Sequence, residues 1–193
     1  MAQDYDDMDA IAMLKADHRK VEEIFAQFEK ASGKDRKRKL AEQACLELKV
    51  HTIIEEEIFY PACRRVVEAD MLNEAYVEHD AAKLMINDIE AGGPDEAFYD
   101  AKVKVLSEMI MHHVEEEEKR SEGLFSLARA AGLDMDDLAE RMRARKKTAM
   151  AQLQGHPEIP AETHVFHGED NAFALAEAPM GRRGGGMEMQ EAR

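Results

Sequence analysis

Apolar residues in this chain return every three or four positions, and nowhere do Val and Ile alternate with polar residues over the length of a strand. That period fits one face of a helix and not a pleated strand. Ile11, Leu14, Val21, Phe25 and Phe28 carry it through a first stretch from about Asp9 to Ala31, which Ser32-Gly33 ends. A second stretch starts near Asp35 with Leu40, Ala44, Leu48, Ile54, Ile58 and Phe59, and Pro61 should kink or end it. A third starts near Asp70, a predicted N-cap, with Leu72, Tyr76 and Ile86 inward. Gly92-Gly93-Pro94 is the sharpest break, with Gly past one helix and Pro at the start of the next. The fourth helix carries Val103, Leu106 and Ile110 and is expected to end near Gly132, and Asp134 caps a fifth running to about Leu153.

The spacing therefore predicts an all-α protein: an up-down-up-down four-helix bundle over 1–132 and an additional C-terminal helix over 133–154. Beyond lies a low-complexity, disordered tail over 155–193, where Pro157, Pro160, Pro179 and Gly184-Gly185-Gly186 sit among small and charged residues. Within that tail Phe173 to Leu175 make a short amphipathic piece, whose docking is the less favoured reading. Composition agrees, since straight-chain helix formers dominate, Trp is absent and aromatics are only 6% of the chain. With 193 residues, 45% of them hydrophobic, one domain has a sufficient core.

The formal net charge of −15 argues against nucleic acid as a partner, because phosphate binding needs a basic face. The basic run Lys34 to Lys39 reads as a solvated helix start. No stretch approaches the eighteen apolar residues of a membrane span, and the acidic start (Asp4, Asp6, Asp7) lacks the basic region of a signal peptide. A cytoplasmic protein, monomeric or homodimeric and without membrane partners, is expected. Cys45 and Cys63 show no metal-ligand spacing and read as core thiols.

Five of the eight histidines lie in the helical part: His18, His51, His79, and His112 with His113. In an up-and-down bundle, residues at one depth on successive helices are mirrored about the turn between them. The midpoint of His18 and His51 falls between Lys34 and Asp35, and that of His79 and His113 falls on Glu96, both beside independently recognised breaks. The midpoint of His51 and His79 is Arg65, between Pro61 and Asp70, where the sequence marks the turn less sharply. One histidine from each bundle helix can thus sit at one level.

Glu55 follows His51 by four residues and Glu117 follows His113 by four, a spacing that projects both side chains from one helix face. Buried imidazoles and carboxylates at one depth would be strongly destabilising without compensation. Metal cations supply it, and this donor mixture suits iron or manganese. Singly, each histidine reads better as an ordinary polar residue, and most of the acid runs Glu55-Glu56-Glu57 and Glu115 to Glu118 as solvated faces; the joint pattern reads as a metal site. Ferritin-like bundles place Glu first with a spacing of three, the reverse of what stands here.

The stretches Ala16-Asp17-His18, His51 to Pro61, Glu78-His79-Asp80 and His112 to Glu117 resemble the hemerythrin-like HHE cation-binding family over roughly the first 130 residues. That resemblance implies two non-haem Fe ions, oxo- or hydroxo-bridged, with Mn as the alternative. Carried over residue by residue, it implies that His18 and His51 serve one ion, His79 and His113 the other, and that Glu55 and Glu117 bridge them. On the fourth helix His112 with Glu116 has the same spacing one residue out of phase; His113 with Glu117 is favoured because it extends the Leu106-Ile110 stripe. Oxygen-carrying members have a second histidine four residues after the one on the third helix, where this chain has Lys83. That leaves one position open, or filled by water, Glu56 or Tyr76, and points away from plain oxygen carriage. Three functions follow, in order: a protein that binds or senses oxygen, peroxide or nitric oxide or handles iron; an enzyme turning over peroxide or nitric oxide; and a bundle merely stabilised by metal. The expected partner is a small diatomic or peroxide ligand. His156, His164 and His167 in the tail stay outside the predicted site.

Overall fold

The computed structural model describes residues 5 and 7–166, and among these the regular structure is entirely helical. Helix α1 spans Ala10–Lys30, and the Asp9 side chain accepts a hydrogen bond from Ala12 N at 2.9 Å, occupying one of its free amides. Helix α2 spans Lys34–Ile54 after Gly33, whose φ of 89° lets the chain turn sharply where a side chain would be strained. A wide turn, Glu55–Phe59, carries α2 into α3, Tyr60–Cys63. Here the Tyr60 N–H bonds back five residues to the Glu55 carbonyl, as in a π-helix.

The remaining helices are α4 (Ala69–Ala91), α5 (Tyr99–Glu118), α6 (Leu124–Ala130) and α7 (Met135–Leu153). Asp70 is not the N-cap of α4; Glu68 holds that place, and Asp70 sits in the first turn, where its charge suits the helix dipole. Pro94 lies in the turn ahead of α5 and not at its first position. The expected fourth helix is two pieces, broken between Glu118 and Leu124. The chain folds back so tightly there that a Cβ on Gly123 would lie 2.5 Å from the Glu117 carbonyl oxygen. Asp134 caps α7 as expected, accepting from the amides of Asp136 and Asp137.

Helices α1, α2, α4 and α5 form the bundle, and α7 lies across α1 and α2. The third midpoint, Arg65, does fall in a turn, between α3 and α4. The apolar core is in two parts. One gathers Met13, Leu14, Ile54, Phe59, Phe125 and Met142 near the start of α1; the other gathers Phe25, Phe28, Leu48, Ile86, Leu106 and Ile110 towards its end. Between them lies a buried polar layer containing His18, His51, Glu55, His79, His113 and Glu117. Cys45 and Cys63 are buried free thiols, and burial pushes the Cys63 thiol up to about 12.

Residues 155–166, placed by the sequence reading in a disordered tail, lie against the bundle. Lys49 Nζ donates to the Ile159 carbonyl at 2.7 Å, and the Asn87 amide exchanges two hydrogen bonds with the Ala161 backbone. Asp80 accepts from the amides of His164, Val165 and Phe166. The prolines end regular structure, but buried side chains satisfy the backbone they leave unpaired. Phe173 to Leu175, the triple glycine and His167 lie outside the described residues. Among the described residues no helix is long and apolar enough to cross a membrane.

Candidate metal centre

All six predicted donors converge. His18, His51, Glu55 and Glu117 form one group of ligand atoms within 4.8 Å of one another, and Glu55, His79 and His113 form a second. Glu55 belongs to both. On α5 the ambiguity resolves by burial: the side chains of His113 and Glu117 are 5% and 3% exposed, while that of His112 is 61% exposed.

The histidines face each other in pairs. His18 Nε2 lies 3.1 Å from His51 Nε2, and His79 Nε2 lies 3.1 Å from His113 Nε2. Each outer nitrogen, Nδ1, is held by a carboxylate on another helix. Glu118 takes His18 at 2.8 Å, Asp17 takes His51 at 3.4 Å, Glu56 takes His79 at 2.9 Å and Glu78 takes His113 at 2.7 Å. The four contacts close a ring around the bundle, from α1 to α2, from the wide turn to α4, from α4 to α5, and from α5 back to α1. Donation from Nδ1 fixes each ring's orientation and leaves Nε2 with a lone pair directed inward.

Two ring nitrogens this close need a shared proton or a cation between them. Two ligand nitrogens at right angles on one ion, with bonds of about 2.1 Å, lie about 3 Å apart, which is the spacing both pairs show. Glu55 Oε1 and Glu117 Oε2 are buried and have no hydrogen-bond partner among the described residues, although unpaired buried acceptors are rare. The donor set and the orphaned oxygens fit metal ions between the helices.

Without metal, protons hold the charges apart. Burial works against the His51 cation, yet Glu55 and Asp17 raise its pKa to about 10. Burial alone dominates at His18 and lowers it to about 4. Burial opposes ionisation of Glu55, but His51 and His79 hold it well below the usual carboxylate range. Burial, reinforced by the charge of Glu55, raises Glu117 to about 8. One buried carboxylate is thus ionised and the other keeps its proton, the usual outcome for two acids sharing a site. A bound cation would displace these protons.

Lys83 does not reach the centre. It is buried and bonds both oxygens of Glu56 at 2.7 Å, and Glu56 in turn holds His79, so neither group fills the position left by the missing histidine. Nor does Tyr76, whose ring packs edge-on against Tyr60 with centroids 5.4 Å apart. The group that faces this half is the Tyr60 hydroxyl, which the sequence reading missed. It lies 3.1 Å from His79 Nε2, donates its one proton to Glu117 Oε1 at 2.9 Å with Glu55 Oε2 3.3 Å away, and is fully buried. Burial and the two glutamates keep the phenol protonated, well above its ordinary pKa.

Two contacts reach the ring from beyond the bundle. Lys146 of α7 pairs with Asp17, which also accepts from Tyr5. His164 Nε2 lies 2.8 Å from Glu56 Oε2, so one tail histidine left out of the predicted site touches a carboxylate that orients a donor. Over the histidine rings, Val21, Leu48, Ile110 and Val114 help enclose a cavity of about 10 Å³.

The hemerythrin HHE cation binding domain matches residues 9–128, which contain all six donors and all four orienting carboxylates. A DNA nickase of Nostoc sp. (strain PCC 7120 / SAG 25.82 / UTEX 2576) is 25% identical over 154 residues, 79% of this chain but 43% of that protein. The chain therefore spans less than half the length of this relative. Among solved structures, a hemerythrin HHE cation binding domain-containing protein from Mycobacterium kansasii superposes with a TM-score of 0.63 at 19% identity, covering 75% of this chain and 89% of that one. That likeness is one of fold.

Proposed function

The chain belongs to the hemerythrin HHE cation-binding family, and from that premise we propose that it is a non-haem di-iron protein that binds or senses oxygen, peroxide or nitric oxide. The observation that carries the reading is the double pair of inward-directed Nε2 atoms, each fixed from behind by a carboxylate, around two orphaned carboxylate oxygens. His18 and His51 would hold one ion, His79 and His113 the other, and Glu55 and Glu117 would lie between them. When bound, a pair of iron ions supplies reversible one- and two-electron chemistry towards small oxygen and nitrogen ligands.

The protein's own groups shape what reaches it. The apolar roof of Val21, Leu48, Ile110 and Val114 leaves a space near that of a single water, which suits a neutral diatomic better than an anion. Tyr60 places a protonated hydroxyl between Glu117 and His79, a hydrogen-bond donor for a ligand at the half of the centre that lacks a further imidazole. This donor also supports a second reading, turnover of peroxide or nitric oxide, because reduction of either requires protons delivered at the ligand. Nicking of DNA, the activity named for the Nostoc relative, is disfavoured by the net charge of −15.

Metal analysis and a visible spectrum of the purified chain test the proposal. It predicts about two iron ions per chain after aerobic reconstitution and a charge-transfer band that changes with oxygen, peroxide or nitric oxide; a colourless protein without iron would refute it. Steady consumption of peroxide or nitric oxide, lost in Tyr60→Phe with iron retained, would establish the second reading.

A further inference from the structure

Cavities approach the centre from different sides, and their linings differ in charge. One, of about 260 Å³, lies under residues 159–164 and is lined by Lys49, Lys83 and Arg145 as well as by Glu56 and Glu57. Its inner wall is the closed Glu56–Lys83 pair. Another, of about 220 Å³, lies between the first half of α4, the end of α5 and the start of α6. Asp70, Glu74 and Glu78 line it from α4, Glu116 and Glu117 line it from α5, and no Lys or Arg does.

The α4 acids stand at i, i+4 and i+8, so they form a ladder on one helix face, an arrangement that is repulsive by itself. At the other end of the bundle surface acids are paired, as Asp95 is with Lys34 and Asp100 with Lys37. Asp70 and Glu74 have no cationic partner among the described residues. The ladder ends at Glu78, which holds His113 at 2.7 Å. Beside it Glu117, 3% exposed and with Oε2 lacking a hydrogen-bond partner among the described residues, lines the inner wall. Glu116, at the rim, is held by Lys119, so the cleft runs from the two unpaired carboxylates Asp70 and Glu74 to two of the six donors.

We propose that this cleft is the route by which a hydrated divalent transition-metal cation reaches the centre, with Asp70 and Glu74 drawing it in and Glu78 delivering it beside His113 and Glu117. This rests on the metal-centre reading above. A cleft lined by one sign of charge focuses the field and raises the local concentration of the opposite ion, speeding association by about 10- to 1,000-fold, and salt weakens the effect. The same field turns small anions away.

The test is the rate at which the full-length, metal-free chain takes up Co2+ alone, followed by visible absorption in a stopped-flow instrument at low and high salt. Asp70→Asn/Glu74→Gln is expected to load about 10-fold more slowly at low salt, with the gap closing at high salt, and to reach the final metal content of the unaltered protein. Glu57→Gln/Glu162→Gln, in the other cavity, is expected to load at the unaltered rate. Equal rates and equal salt dependence for the Asp70/Glu74 double variant and the unaltered chain overturn the route, as does a comparable slowing in the control pair. Glu74→Gln alone, an exposed change that leaves packing untouched, should show part of the effect, and its absence counts equally against the route. An unaltered chain that takes up no Co2+ at all refutes the metal-centre reading itself, a result distinct from a chain that loads with no regard to the ladder.

Discussion

The two halves of the centre are built from the same donors but are closed off differently. The His18/His51 half has two imidazoles and two carboxylates within one group, and α7 covers its side of the bundle, with Lys146 bracing Asp17. The His79/His113 half has two imidazoles and the shared Glu55, a tyrosine hydroxyl in place of a further ligand, and a cleft opening on His113 and Glu117. Lys83 explains much of the contrast. Its ammonium cannot serve as a ligand while charged, so it turns to Glu56 and leaves the inner position to Tyr60. On the proposed reading the first half would hold an ion, and the second would hold one and expose it to a ligand.

The largest test of this contrast removes what the halves share. Glu55→Ala should abolish metal binding in both, bringing bound metal to background by elemental analysis, whereas loss of a donor from one half should leave the other loaded. Addition of metal to the metal-free form comes next. At a thousandfold excess over Kd a ligand that binds only the folded state stabilises it by about 4 kcal/mol. In a chain of this size that corresponds to a rise in Tm of roughly 8–16 °C by calorimetry on adding metal. Third, His18→Ala and His79→Ala should each reduce bound metal to about one ion per chain, but only His18→Ala should retain a spectral response to nitric oxide, since the open half survives in it; equal responses would erase the contrast.

Smaller effects probe the groups outside the bundle. Lys146→Met leaves Asp17 without its cation and should weaken metal affinity about 10-fold, the lower end for a partner standing behind a ligand. Titration calorimetry checks it, and the loss should fall on one binding step only, that of the His18/His51 half. His164→Ala should matter least, shifting stability by no more than about 0.5 kcal/mol, because this histidine is about half exposed and screened by water.

Much of this was legible before any coordinates. The donors follow helical spacing, the pairs His51/Glu55 and His113/Glu117 share a face by period alone, and mirroring about the turns puts the four histidines at one depth. The orienting carboxylates were missed, although each adjoins a donor in sequence: Asp17 before His18, Glu56 after Glu55, Glu78 before His79 and Glu118 after Glu117. A neighbour one residue along a helix points about 100° away, so it faces the next helix and not the centre. That offset is why each carboxylate serves another helix's histidine. Tyr60 was missed because regular α-helix geometry places it about 140° round from Glu55. The wide turn at Glu55–Phe59 changes that register and brings both side chains to one face.

Periodicity, breaks and spacing, all local properties, determined the helices, their up-and-down order and the six converging donors. The tertiary structure decided which group faces each ion's place, how α7 and residues 155–166 brace two of the orienting carboxylates, and where the centre opens. Those features depend on residues far apart in sequence, such as Lys146 with Asp17 and His164 with Glu56. Lys83 shows the division most plainly: the sequence reveals that a ligand is missing, and only packing shows that its ammonium is bound to Glu56 while the Tyr60 hydroxyl stands in the space.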